Sequence, residues 1–151
     1  APKSFMINVF PQNLLDDITQ TLKRHEGVRQ YAYRCPAGYW TIGAGRNIDD
    51  KGGRGLSDDE INYLLQNDIQ LSIDELSGNF PWFDEIPKTV QGVLINMHFN
   101  MGMPTLRKFR NMLDALERKE YSRAADEMLD SNWADQVGDR AIELSDIVRG
   151  T

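Results

Sequence analysis

The stretch HEGVRQYAYRCPAGYWTIGAGR, residues 25–46, decides the fold. It opens on the end of a helical pattern and closes in a run of strands and turns. Upstream, Leu14, Leu15, Ile18 and Leu22 recur at helical spacing behind Pro11, which suits a first helical turn. Gly27 is a natural stop. Glu26 therefore falls in the last turn, at the negative end of the helix dipole, where an ionised carboxylate is disfavoured. Downstream, Gln30–Tyr33 is short and aromatic-rich, Cys35-Pro36-Ala37-Gly38 carries turn residues, and Trp40-Thr41-Ile42-Gly43 reads as a strand. Gly43, Gly45, Gly52, Gly53 and Gly55 mark a bent hairpin region, so residues 31–56 read as a small antiparallel sheet.

Helical patterns take over from there. Ser57 and Glu60 form a capping box that opens a helix carrying Ile61, Leu65, Ile69, Ile73 and Leu76 and ending near Gly78. Phe80 to Pro87 reads as a packed, irregular connection. Val90, Val93, Leu94, Met97 and Met101 form the next apolar stripe, stopped by Gly102. Leu106, Phe109, Leu113 and Leu116 predict one further helix; Tyr121, Ala124, Ala125 and Met128 predict a short one. Ser131 caps a segment containing Trp133, and a last helix runs from Asp139 to Arg149. The fold class is α+β: a small antiparallel β-sheet lobe plus a mainly helical lobe. The helix from Ser57 to Ser77 is long enough to bridge the two, and a cleft between them is the expected ligand site.

At 151 residues a single compact domain is expected. Ala1–Phe5 read as a cloning remnant ahead of Met6, leaving residues 6–151 as that domain. Cys35 is the sole cysteine, so no intrachain disulfide forms, and the two histidines, His25 and His98, lie far apart. No metal and no cofactor are expected from such spacing. The net charge of −6 argues against nucleic-acid binding. The charge is uneven: residues 46–75 carry eight acids against three bases, whereas residues 107–123 carry six bases against three acids. That basic segment suits an anionic polymer as well as a solvated helix face. No apolar run approaches the ~20 residues of a membrane span, so no stable membrane association is expected. Gly43-Ala44-Gly45-Arg46 lacks both the P-loop ending and the third glycine of a dinucleotide site.

Glu26, Cys35 and Thr41 are the informative constellation. Eight residues separate the first pair and five the second, on a helix end, a tight hairpin and a strand. Glycoside hydrolysis needs such parts: a carboxyl that protonates the leaving oxygen, and groups that hold and deprotonate a water on the other sugar face. On pattern alone, a glutamate before glycine at a helix end is commonplace, and a lone cysteine is more often a small buried hydrophobe than a catalyst.

The combination is more specific. Glu26-Gly27-Val28-Arg29, Tyr33, Gly38, Thr41-Ile42-Gly43 and Gly45 together resemble the bacteriophage lysozymes of glycoside hydrolase family twenty-four. Their motif is Glu, eight residues, Asp or sometimes Cys, five residues, Thr. Leu94 to Gly102, Ser131-Asn132-Trp133 and Asp139-Arg140-Ala141 resemble the family's later segments, in order. The resemblance implies a lysozyme-like fold and a muramidase acting on peptidoglycan glycan strands. It implies Glu26 as proton donor, Cys35 and Thr41 at the water, Phe99 and Asn100 near the bound sugar, and Arg140 paired with the glutamate. It also implies an endolysin that causes host cell lysis: a monomer made in the host cytoplasm, reaching the wall in the periplasm through a holin pore.

Two positions depart from the best-known members. Cys35 stands where they carry Asp; a free thiol ionises near ~8.5, and a neighbouring Glu26 carboxylate is expected to raise that further. Arg46 stands where many members carry His after Gly-x-Gly. A lytic transglycosylase, which closes an anhydro ring in place of water attack, and a non-catalytic peptidoglycan-binding domain are the alternative readings.

Overall fold

The computed structural model describes residues 10–151, so the remnant read at Ala1–Phe5 lies outside the described residues. The chain forms two compact units, one ending at Asn62 and one running from Tyr63 to Thr151. The α+β class expected from the sequence is what the structure shows: an antiparallel sheet in the first unit and a helical assembly in the second.

The first unit starts with α1 (Gln12–Glu26). Pro11, without an N–H of its own, lies just ahead of the helix, and its carbonyl accepts from the N–H groups of Leu14 and Leu15 at 3.1 Å each. Gly27 ends the helix at φ 75°, donating to the Lys23 carbonyl. Lys23, Arg24 and His25 fill the last turn, the favourable end of the dipole for cations.

Three strands follow in the order β1 (Arg29–Arg34), β2 (Trp40–Gly43), β3 (Arg46–Asn47), each pair antiparallel. Tyr33 faces Thr41 and Thr41 faces Asn47 across the ladder, whereas Arg34 faces Trp40. Alternation thus puts Tyr33, Thr41 and Asn47 on one face and Arg34 and Trp40 on the other. The register slips between Arg29 and Tyr33, a bulge in β1.

No apolar side chain described in this unit is fully buried; Thr41 and Asp49 are its buried residues. The stripe Leu14, Ile18 and Leu22 forms a helix as expected but stays about half exposed. A sheet whose last strand has two residues is too small to cover a helix of fifteen. Polar bonds do the organising. Asp49 accepts from the Trp40 N–H and the Lys51 N–H at 3.0 Å each, and its own N–H donates to Asn47 Oδ1. Gly53 closes this knot, where a Cβ would collide with Asn47 Oδ1 and the Asp49 backbone.

The unit boundary falls inside α2 (Asp58–Asn79). Its capping box forms as read: the Glu60 N–H reaches Ser57 Oγ at 3.2 Å, and the Ser57 N–H reaches Glu60 Oε1 at 2.8 Å.

The second unit holds the apolar core. Leu76, Phe83, Val90, Leu94, Met97, Leu106, Leu116, Met128 and Val148 are all essentially inaccessible. They come from α2, a 3-10 turn (Phe83–Glu85), α3 (Lys88–Leu106), α4 (Arg110–Glu117), α5 (Tyr121–Leu129) and α7 (Asp139–Arg149), with the short α6 (Asn132–Val137) between the last two. Phe80 stacks on Trp82 at 5.3 Å in the irregular connection. His98 on α3 bonds Ser72 and Glu75 of α2 through its two ring nitrogens, at 2.5 and 2.8 Å.

One expectation about helix ends holds and one changes. Gly102 interrupts the helix as expected (φ 79°, ψ 165°), and a second short helical segment follows it to Leu106 within α3. Pro104 lacks an N–H and fits the restart, where the first amides have no partner to reach. Leu106 then closes α3, and the single helix read over Leu106–Leu116 is instead two, α4 starting behind Phe109. Ser131 caps α6 as expected, accepting from the Ala134 N–H at 3.1 Å, and α7 has the predicted bounds.

Candidate active site

Glu26 is the last residue of α1, and Gly27 and Val28 lead directly into β1. Its side chain is exposed, not partly buried. It lies against the β2–β3 turn: a Cβ added at Gly45 would stand 2.7 Å from Glu26 Oε2 and 3.1 Å from Cδ, closer than side-chain carbons approach. Gly45 also has φ 76°, a conformation glycine adopts without strain. Only a residue without a Cβ lets the turn come this close to the carboxyl.

Cys35 opens the β1–β2 hairpin turn. Its N–H donates to the Tyr39 carbonyl at 2.9 Å, and its carbonyl accepts from the Gly38 N–H at 2.8 Å. Arg34 pins the turn from outside, with its guanidinium 4.3 Å over the Trp40 ring and Nη1 donating to the Gly38 carbonyl. So folded, the turn aims backbone N–H groups at the sulfur. Bonding from the Tyr39 N–H first, then from Ala37, the Thr41 hydroxyl and Gly38, lowers the Cys35 thiol below its ordinary value against a smaller opposing effect of desolvation. This corrects the expectation of a raised thiol: donors facing the sulfur favour its ionised form.

Thr41 is buried in mid-strand β2. Its hydroxyl donates to the Tyr39 carbonyl at 2.9 Å and is also within bonding reach of the Cys35 sulfur. A hydroxyl has one proton, so these are alternatives. Cys35 and Thr41 thus lie near each other on the β1–β2 hairpin, and Glu26 lies against Gly45, all in the first unit.

Phe99, Asn100 and Arg140 belong to the second unit. Phe99 and Asn100 lie just before the break at Gly102, with Phe99 44% exposed. Asn100 Oδ1 accepts from Trp133 Nε1 at 2.6 Å, and Trp133 packs edge-on against Phe109. Asn100 and Trp133 line a cavity of about 850 Å³ with Thr105, Phe109 and Glu127. Arg140, at the start of α7, donates through Nε to Asn96 Oδ1 at 2.9 Å and through Nη2 to the Asn96 carbonyl at 3.3 Å.

Sequence reading alone passed over three partners. Trp133 holds Asn100, and the signal was available: a buried indole N–H needs an acceptor. Asn96 holds Arg140 from 44 residues away, with no local trace. Glu60 was seen only as a cap, yet it also pairs with Arg46, 14 residues distant.

The family model of phage lysozymes, described as "Phage lysozyme", matches residues 23–146. "Probable T4-type lysozyme 1" of Dictyostelium discoideum is 25% identical over 89% of this chain and 95% of its own length. The "Endolysin" of Acyrthosiphon pisum secondary endosymbiont phage 1 is 29% identical over 79% of this chain and 80% of its own. The "Pre-baseplate central spike protein Gp5" of Enterobacteria phage T4 is 27% identical over 87% of this chain, but over only 27% of the spike protein. The matched span takes in Glu26, Cys35, Thr41, Asn100 and Arg140 together with the sheet and all helices from α2 to α6. With an α+β arrangement of the lysozyme-like kind and most of its length inside the family model, this chain belongs to the phage lysozyme family.

Proposed function

We propose that the chain is an endolysin-type muramidase, hydrolysing the β-1,4 bond between N-acetylmuramic acid and N-acetylglucosamine in bacterial peptidoglycan. The observation that carries this is the family match over residues 23–146, which takes in a helix-end glutamate and, on the neighbouring hairpin, a cysteine whose thiol is lowered by facing N–H groups. Glu26 gives its proton to the glycosidic oxygen as the bond to the anomeric carbon breaks. A water attacks that carbon, aligned by the Thr41 hydroxyl, and loses its proton to the Cys35 sulfur. The lowered thiol suits the base role, because more of it is ionised at neutral pH than of a free cysteine. In this reading Phe99 and Asn100 contact the sugar.

In this reading the protein is a monomer made in the host cytoplasm, reaches its substrate through a holin pore and causes lysis from the periplasmic side. Glu26→Gln abolishes clearing of outer-membrane-permeabilised cells while leaving the circular dichroism spectrum unchanged. Near-normal clearing by that variant removes Glu26 as the acid. Mass spectrometry of the released fragments separates hydrolysis from ring closure: reducing ends support the reading, and 1,6-anhydro ends replace it with a transglycosylase.

A further inference from the structure

The turn that meets Glu26 has little to hold it in place. Residues 43–45 are Gly-Ala-Gly, with both glycines at positive φ, and offer no side chain larger than a methyl group. The next residue, Arg46, is held on several sides. Its Nη1 donates to Glu60 Oε1 at 2.6 Å and to the Gly55 carbonyl at 3.1 Å, and its Nη2 pairs with Glu60 Oε2. A guanidinium gripped by both oxygens of a carboxylate is fixed in direction as well as distance. Glu60 is fixed in turn, because Oε1 also accepts the Ser57 N–H in the capping box. Arg46 pairs with Ile42 across the sheet, which closes the turn from the other side.

The geometry points to Arg46 and Glu60 as positioning residues for the candidate proton donor. They tie the β2–β3 turn to the first turn of α2, and so fix the Gly45 backbone that lies against the Glu26 carboxyl. Neither touches the reacting atoms. The inference rests on the reading of Glu26 as the acid. The pair is partly exposed, with side chains 27% and 37% accessible, and such pairs contribute little to stability. A placement role therefore shows in turnover more than in unfolding. Misplacing a catalytic group by an ångström costs up to about a hundredfold, so a loosened turn is expected to cost about tenfold.

The test measures kcat and KM on soluble glycan strands for Glu60→Gln, Arg46→Met and the double variant, with Glu26→Gln alongside. Glutamine at position 60 still caps α2, so this variant removes the ion pair and keeps the helix start. Thermal unfolding of each protein reports the folded fraction at the assay temperature. The expected result is an inactive Glu26→Gln, single variants with kcat down about tenfold and KM unchanged, and a double variant no slower than the worse single. Parental kcat in Glu60→Gln overturns the inference, as does a loss confined to KM or losses that multiply in the double variant. An active Glu26→Gln overturns the acid assignment itself, whatever the other variants do.

Discussion

Cys35 sits at the candidate site with its thiol lowered, chiefly by the Tyr39 N–H, with Thr41 among the further donors. Lowering an acid's pKa brings its ionised form in at lower pH, so the sulfur gains nucleophilicity before an ordinary thiol does. Alkylation of Cys35 by iodoacetamide is expected to reach half its limiting rate at a lower pH than that of a free cysteine measured alongside. Thr41→Val removes one donor and shifts that midpoint upward; an unchanged midpoint means the hydroxyl does not face the sulfur. In lysis assays Cys35→Ala loses most activity and Cys35→Asp retains it, since a carboxylate is a ready base at neutral pH. At this scale the sequence told the residue types and their spacing. It did not tell the direction of the thiol's shift, because that depends on amides aimed by a turn and not on the identity of the nearest charged residue.

Elements whose signals are local were legible: the capping box at Ser57, the cap at Ser131, the stop at Gly27 and the bounds of α7 all formed as read. The break at Gly102 was legible, but the short helical segment that ends at Leu106 was not. A glycine shows that the ladder is interrupted, while only the packing of Met103 and Leu106 into the core decides that a helix resumes. The link from Arg46 to Glu60 left no local trace, and it has a measurable signature. The Arg46 guanidinium, with the Ser57 N–H, holds the Glu60 carboxyl down to about 2 from an ordinary 4.5. A depressed carboxyl contributes stability that is complete above its unfolded value and disappears as pH falls through its folded value. The parent's thermal midpoint is therefore expected to exceed that of Glu60→Gln at pH 6, with the gap closing between about pH 4.5 and 2. A gap constant across that window excludes the ion pair as its source. Ser57→Ala, which removes the reciprocal cap, is expected to cost about 1 kcal/mol in denaturant unfolding.

Across the whole molecule the two units are stabilised by different means. The second unit buries leucines, methionines and aromatic rings in one continuous cluster. Truncating Phe83 to alanine there is expected to cost about 3–5 kcal/mol. The first unit, among its described residues, buries a threonine and an aspartate and relies on ladders, turns and the Asp49 knot. Hydrogen exchange is expected to show this: amides of residues 90–97 exchange slowest, and those of residues 12–26 and 29–47 exchange by smaller local openings. Equal protection in both sets contradicts it. The sequence announced the helical core through its periodic leucines and methionines. It also announced a stripe on α1, yet periodicity shows only that a face is apolar, not that its own unit contains enough surface to cover it.

That thin interior sets a clock. Proteases cut where backbone opens, and the unit without a described apolar core carries Glu26, Cys35 and Thr41. If these residues act as proposed, clipping there is expected to end activity while the helical unit is still folded, so the working life of the protein is the lifetime of the sheet.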